Sequence, residues 1–354
     1  MDADVRNRDG RQVADLLGHA RELADPVMRE CVGSLPQRMR LVVGYHLGWW
    51  DKYGSELAGG GGKAIRPALA FAAAHAVESV PSAAAGYDGQ GLARAAAAVE
   101  LVHNFTLLHD DVMDQDTRRR RRPTAWSVFG TSDAILAGDA LQAAAARLLT
   151  DIPGPVTAQA SGRLAACVIE LCEGQSADCA FEQRTDVTLT QCLAMAEAKT
   201  GALLGCSVAL GALYAGADTA LVDGLDAFGR TLGLAFQLID DLLGIWGDPA
   251  VTGKPVGADL AARKKSLPVV AALTSNTAAG ADLAALYAVD HPLEPADVAI
   301  ATNLVQVAGG RAWAVRQAES QITEALGHLT ELFPDPAAAG DLLALANLIT
   351  RRDR

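Results

Sequence analysis

Apolar residues return at steps of three and four along most of the 354-residue chain, and the interruptions are short. Runs such as ARAAAAVELV (93–102) and ALQAAAARLL (140–149) carry the pattern almost without a break and predict helices. The breaks fall at GGGG (Gly59 to Gly62), SAAAGYDGQG near Ser82, DIPGP near Asp151, DPAVTGKP near Asp248 and FPDP near Phe333, and each reads as a loop. None is long or distinct enough to be a linker. The pattern therefore predicts one all-α domain over 1–354, a bundle of roughly ten to twelve helices, with 1–12 as a flexible N-terminal extension. Thr188 followed three residues later by Gln191 is a capping-box signature for a helix start.

Composition supports the helical reading. Half the residues are apolar but only 5% are aromatic, and alanine and leucine lose little on entering a helix. The net charge of −12 argues against a general nucleic-acid binder, which needs a broad basic surface to displace counterions. An anionic substrate would have to be held by a local cluster of cations. The six cysteines form no CxxC pair, which argues against a zinc site and for a reducing compartment. The start, MDADVRNRDGRQVADLL, has no apolar signal core, and no run reaches the ~20 uninterrupted apolar residues of a membrane span. The expectation is a cytoplasmic protein that does not span a membrane.

Chemistry enters through an echo in the pattern. LLHDDVMD around Asp110 and QLIDDLLGIWGD around Asp240 each set paired aspartates on an otherwise apolar helix. Two such helices facing each other would enclose an acidic cavity. In the first segment Glu100, His103, Leu107, Asp110 and Asp114 follow steps of three and four and share one face. Beside so much apolar surface, Asp110, Asp111 and Asp114 would repel one another without a compensating cation. Oxygen-only ligands of this charge density suit Mg²⁺, which keeps waters and is completed by phosphate oxygens of a substrate. A solvated acidic helix end would present the same letters. In the second segment Gln237, Asp240, Asp241, Gly244 and Asp248 repeat the logic, and the apolar neighbours on both sides favour a metal role.

Cations flank both segments. Arg118 to Arg122 form a run of five beginning four residues after Asp114, while Lys63 and Arg66 follow the glycine loop. Lys254, Lys264 and Lys265 follow the second acidic helix. In an acidic chain, cations beside carboxylate clusters predict diphosphate binding ahead of a merely solvated patch. Gln175 and Asp178 lie at i and i+3, and Lys199, Thr200 and Gly201 set a cation beside a hydroxyl. Taken singly, these read as helix surface.

Together these segments resemble the trans-isoprenyl diphosphate synthases, the polyprenyl synthetase family. The matching motifs run in order from Gly61 to Pro268: GGKAIRP, ELVHNFTLLHDDVMD, RRRRRPT, GQSAD, AKTG, FQLIDD, GKP and KKSLP. The resemblance implies an all-helical bundle around a deep central cavity, usually in a homodimer. It implies Mg²⁺-dependent condensation of isopentenyl diphosphate with an allylic diphosphate such as dimethylallyl, geranyl or farnesyl diphosphate. Carried over by position, Asp110 and Asp114 bind two Mg²⁺ ions and Asp240 a third, with Asp111, Asp241 and Asp178 as further members of the metal set. Arg119, Lys199, Thr200, Gln237, Lys254 and Lys264 fall where the family holds and reacts the allylic diphosphate. Lys63, Arg66, His103 and Arg120 fall where it binds isopentenyl diphosphate. Asp110, Asp114, Lys199, Asp240 and Lys254 make up the expected catalytic set.

Three positions depart from the family pattern. Ala64 replaces a basic residue, Arg121 stands where a glycine is usual, and Gly244 replaces the last aspartate of the second motif. Product length in this family follows bulk beneath the first motif, and Phe105 and Thr106 lie five and four residues before Asp110, about one helical turn below. A single aromatic there resembles short-chain synthases, with C20 geranylgeranyl diphosphate favoured over C15. The rivals are a terpene cyclase on the same scaffold, which would not need Lys63, Arg66, His103 and Arg120, and a non-catalytic regulatory subunit, which would not need both metal motifs.

Overall fold

The computed structural model describes residues 2–350 except 58–61, 81–87, 121, 152, 249–255 and 290–292, with side chains from Gln12 onward. By its contacts the chain is described in two compact units. The first holds 1–169, 203–229 and 328–346, and the second 170–202, 230–327 and 347–354. Two of the boundaries fall inside the helices Thr157–Glu182 and Thr219–Trp246, so no linker composition marks them.

In the first unit α1 (Asp2–Gly33) is already helical where the sequence suggests a flexible extension, because charged side chains are ordinary helix formers and no proline interrupts the first turns. It is followed by α2 (Gln37–His46), α3 (Ile65–Glu78) and α4 (Gly89–Met113). A two-residue hairpin then pairs β1 (Arg118–Arg119) with β2 (Arg122–Pro123), before α5 (Ala125–Phe129) and α6 (Thr131–Thr150). The side chain of Asp88 caps α4 by accepting from the Gly91 amide at 2.9 Å.

Helix α4 packs against α1, α3, α5 and α6 and is buried around most of its circumference. Its alanines at 95–98 are fully covered, and small side chains let neighbouring helices approach closely. Each fully buried leucine, such as Leu92, Leu101 or Leu108, contributes about 1.5–3 kcal/mol. On α6 the buried set is the single stripe Ala134, Ala137, Gly138, Leu141, Ala144, Ala145, Leu148 and Leu149. The acidic end of α4 therefore projects from a rigid, alanine-packed core.

The second unit contains the C-terminal part of α7 (Thr157–Glu182), α8 (Leu189–Ala196) and a π turn over Glu197–Gly201. After α9 (Ala202–Tyr214) it takes up most of α10 (Thr219–Trp246) and shorter helices including Ala258–Ala261 and Leu267–Leu273. Phe181, Cys192, Met195, Leu238, Leu267 and Val270 form one apolar core, and Ile245, Leu260, Val269, Leu283 and Val305 another. The capping box is realised: the Gln191 amide donates to Thr188 Oγ1 at 3.2 Å, and the Thr188 amide to Gln191 Oε1 at 3.1 Å. The described residues hold more helices than the expected ten to twelve, because several, such as Ala125–Phe129 and Ala258–Ala261, are too short for a 3.6-residue period to show.

The stretch Leu189–Tyr214 has the length and overall apolarity of a membrane span, although Glu197 and Lys199 interrupt it. Within its apolar window 78% is buried inside the protein, as in a core helix. No disulfide links the cysteines, among which Cys31, Cys167, Cys192 and Cys206 are buried.

Candidate active site

Each unit carries one acidic helix with cations around it. On α4 successive side chains point about 100° apart, so the adjacent aspartates part company. Asp110 is half-buried and Asp114, the C-cap, is exposed, while Asp111 turns inward and is 1% exposed. Arg119 Nε donates to Asp111 Oδ1 at 2.7 Å, and Oδ2 has no hydrogen bond among the described residues. Burial pushes the Asp111 carboxyl up to about 6 against the pull of Arg119.

The arginine run is the hairpin, and its tight geometry gives the side chains different tasks. Arg119 meets Asp111. Arg122 donates to the carbonyls of Tyr45 and Trp50 at 3.2 and 3.3 Å and stacks 4.5 Å over the Tyr45 ring, which makes it structural. Arg120, in the left-handed region at φ 49°, lies toward Glu100. Arg121, which stands where a glycine is usual, lies outside the described residues. The hairpin is latched by the Asp116 carbonyl, which accepts from Thr124 Oγ1 and Trp126 Nε1, each at 2.8 Å.

The four residues expected to bind isopentenyl diphosphate share the first unit. Burial, followed by the charges of Arg66 and Arg120, holds the His103 imidazole well below its ordinary range, so it stays neutral. Glu100 is 7% exposed and raised by burial, with Arg66 and Arg120 opposing that rise. Sequence reasoning missed His46, which meets Asn104 Oδ1 at 3.2 Å and is lowered to about 3 by burial and the neighbouring arginines. Lys63 is exposed and Arg66 half-buried. Farther along α4, Phe105 is 7% exposed and meets the His109 ring edge-on at 4.9 Å, while Thr106 Oγ1 donates to the His103 carbonyl at 2.8 Å.

In the second unit the pattern recurs with different partners. Asp240 is exposed, and Asp241 is 5% exposed. Asp241 accepts from Gln237 Nε2 at 2.7 Å and from the Leu267 amide at 2.8 Å, and Thr200 Oγ1 donates to Gln237 Oε1 at 2.7 Å. Burial raises Asp241 to about 7, with Lys264 opposing. Asp178, expected among the metal ligands, accepts from Lys199 Nζ at 2.6 Å, and Lys264 Nζ lies 4.0 Å away. Burial pushes its carboxyl up, but the two ammoniums outweigh it and hold it below the usual range.

Lys199 and Thr200 owe their position to the π turn Glu197–Gly201. A Cβ at Gly174 of α7 would come within 2.6 Å of the Lys199 amide nitrogen, and one at Gly233 of α10 within 2.6 Å of the Gly201 Cα. Two glycines thus make room for the widened turn. Gly244 has a similar reason: a Cβ there would stand 2.1 Å from Asp259 Oδ2. The carboxylate missing from position 244 is replaced in space by that of Asp259, a residue the sequence reading passed over. Lys254 lies outside the described residues.

The carboxylates turned outward, Asp110, Asp114 and Asp240, offer only hard oxygen donors. Among the described residues no group of three or more His, Cys, Asp or Glu side chains is gathered to hold a metal ion. The donor chemistry, carboxylate oxygen alone, suits Mg²⁺ rather than a softer ion.

A family model described as Polyprenyl synthetase matches residues 48–305, a span that includes both acidic helices and both groups of cations. The chain belongs to the polyprenyl synthetase family. This polyprenyl synthetase is 50% identical over 339 residues to the geranylgeranyl diphosphate synthase of Mycobacterium tuberculosis, covering 96% of this chain and 93% of the relative. It is 44% identical over 350 residues to a (2E,6E)-farnesyl diphosphate synthase of the same species, covering 98% and 95%. Among solved structures, the polyprenyl synthetase from Streptomyces coelicolor A3(2) matches with a TM-score of 0.88 at 42% identity, over 95% of this chain and 99% of the other. The expected all-α class is the one found.

Proposed function

We propose that this polyprenyl synthetase condenses isopentenyl diphosphate with an allylic diphosphate to give a short-chain product, with C20 favoured over C15. The observation that carries the reading is the second group of cations: Arg66 and Arg120 flank the neutral His103 and the buried Glu100, in addition to the arginine that Asp111 holds. A cyclase that ionises a single diphosphate has no use for it. The geranylgeranyl and farnesyl synthases among the relatives support chain elongation over cyclisation.

In this reading Asp110, Asp114 and Asp240 would hold Mg²⁺, which when bound would supply neutralising charge for the departing diphosphate. Arg119, Lys199 and Lys264 add fixed cations, with Lys254 in its expected role. Asp111, Asp241 and Asp178 act as anchors that orient Arg119, Gln237 and the two lysines. The allylic C–O bond breaks and its electron pair leaves with the diphosphate. The double bond of isopentenyl diphosphate forms the new C–C bond, and a proton passes to the released diphosphate. An apolar surround keeps water from the cation, and Phe105 limits the growing tail. A homodimer and a cytoplasmic location belong to the same proposal, the first resting on the family resemblance and the second on the sequence.

The test is an incubation of the purified protein with Mg²⁺ and geranyl or farnesyl diphosphate, with and without isopentenyl diphosphate. Product is expected only when both substrates are present, and it should be mainly C20. Hydrocarbon released from geranylgeranyl diphosphate alone would establish the cyclase instead. Absence of turnover with every pairing would point to the regulatory subunit.

A further inference from the structure

Two features beside the glycine-rich segment have no part in the reading above. Ala64, where the family pattern carries a basic residue, is 6% exposed and sits in the left-handed region at φ 55° and ψ 35°. Its methyl group brings no charge. Arg21 of α1, an exposed side chain, donates from Nε and Nη2 to the carbonyl of Gly62 at 3.3 and 3.1 Å. Those two bonds leave Nη1 without a hydrogen-bond partner among the described residues. A guanidinium has five N–H groups, so three remain for an anion.

A small cavity opens at this contact, lined by Arg21, Asp25, Gly62, Ala64 and Glu100 among others. A Cβ on Gly62 would stand 3.3 Å from both Arg120 Nη2 and Glu100 Oε1. One glycine is therefore the meeting point of α1, the hairpin and α4, with Lys63 next along the chain. Three arginines, Arg21, Arg66 and Arg120, stand against two carboxylates, Asp25 and Glu100, with Arg29 also beside Asp25. Burial raises both of those carboxyls, so the excess of charge is positive.

We propose that Arg21 is a further binding residue for the diphosphate of the homoallylic substrate, supplying from α1 the cation that position 64 does not carry. The inference rests on the reading of Lys63, Arg66, His103 and Arg120 as the isopentenyl diphosphate site. Arg21 does two things at once: it fixes the Gly62 carbonyl, and it offers its remaining N–H groups to a phosphate oxygen.

The experiment compares the full-length protein with Arg21→Met, Arg21→Lys, Ala64→Arg and the double variant Arg21→Met with Ala64→Arg. Calorimetric titration with isopentenyl diphosphate in EDTA gives Kd, and steady-state kinetics give both KM values and kcat. Loss of one charge-assisted contact should weaken isopentenyl diphosphate roughly 10- to 100-fold in Arg21→Met, with kcat and the allylic KM within about twofold. Arg21→Lys should fall between the two, and Ala64→Arg should restore most of the affinity in the double variant. A folded Arg21→Met that binds isopentenyl diphosphate within twofold of the parent overturns the inference. So does a loss that Ala64→Arg fails to rescue, which would mean that Arg21 only braces the loop. A parent protein that neither binds nor consumes isopentenyl diphosphate defeats the functional reading itself, a result distinct from either.

Discussion

The acidic helices α4 and α10 begin from the same doubled letter and satisfy it in different ways. In each, the first aspartate looks outward and the second is buried, because adjacent helical residues cannot share a direction. On α4 the inward carboxylate meets a cation, Arg119. On α10 it meets neutral donors, Gln237 and the Leu267 amide, with Lys264 acting only through space. The carboxyls are raised to about 6 and about 7 respectively, in each case chiefly by burial, with the charge of a cation, Arg119 or Lys264, as the largest opposing influence. In the proposed reading the doubled aspartate is a ligand followed by an anchor, and the two anchors are held by different kinds of hydrogen-bond donor.

The comparison breaks first at the outward residues. Asp110→Ala and Asp240→Ala should each lower kcat by roughly 10³-fold or more while leaving the melting midpoint nearly unchanged. If one of them turned over normally, the two helices would not be equivalent ligands. The anchors should differ in stability. Arg119→Met strands the buried Asp111 charge and should cost about 3–5 kcal/mol in denaturant unfolding at pH 8, whereas Gln237→Leu removes one bond to Asp241 and should cost about 1–3 kcal/mol. Equal losses would show that the nature of the partner does not matter.

The smallest effect is a matter of sign. The folded Asp241 carboxyl, at about 7, lies above the ordinary aspartate value of 3.8, so its stabilising contribution is complete below that value and is lost as pH rises through 7. Asparagine has no such loss. In EDTA, Asp241→Asn should therefore gain on the parent by something on the order of 2–3 kcal/mol between pH 5 and pH 8. A gain on acidification would mean that Asp241 is ionised without strain.

Much of this was legible in the sequence. The capping box at Thr188 was, because both partners lie within one turn. The two acidic helices were, because their letters are contiguous and sit in an apolar pattern. The inward turn of Asp111 and Asp241 was not, since neighbouring letters do not say which one faces the core. Nor could the division of the arginine run be read, because a two-residue hairpin has no periodicity. The contacts Arg21 to Gly62 and Gly244 to Asp259 join residues far apart or across a loop, where no local spacing rule applies.

Gly244 limits what the space beside α10 can hold. A side chain at 244 would have to push the Asp259 carboxylate aside, whereas shortening Asp259 asks nothing of Gly244. An aspartate placed at 244 would bring a second carboxylate into a space that now holds one, and their mutual repulsion would oppose it unless a cation came with it.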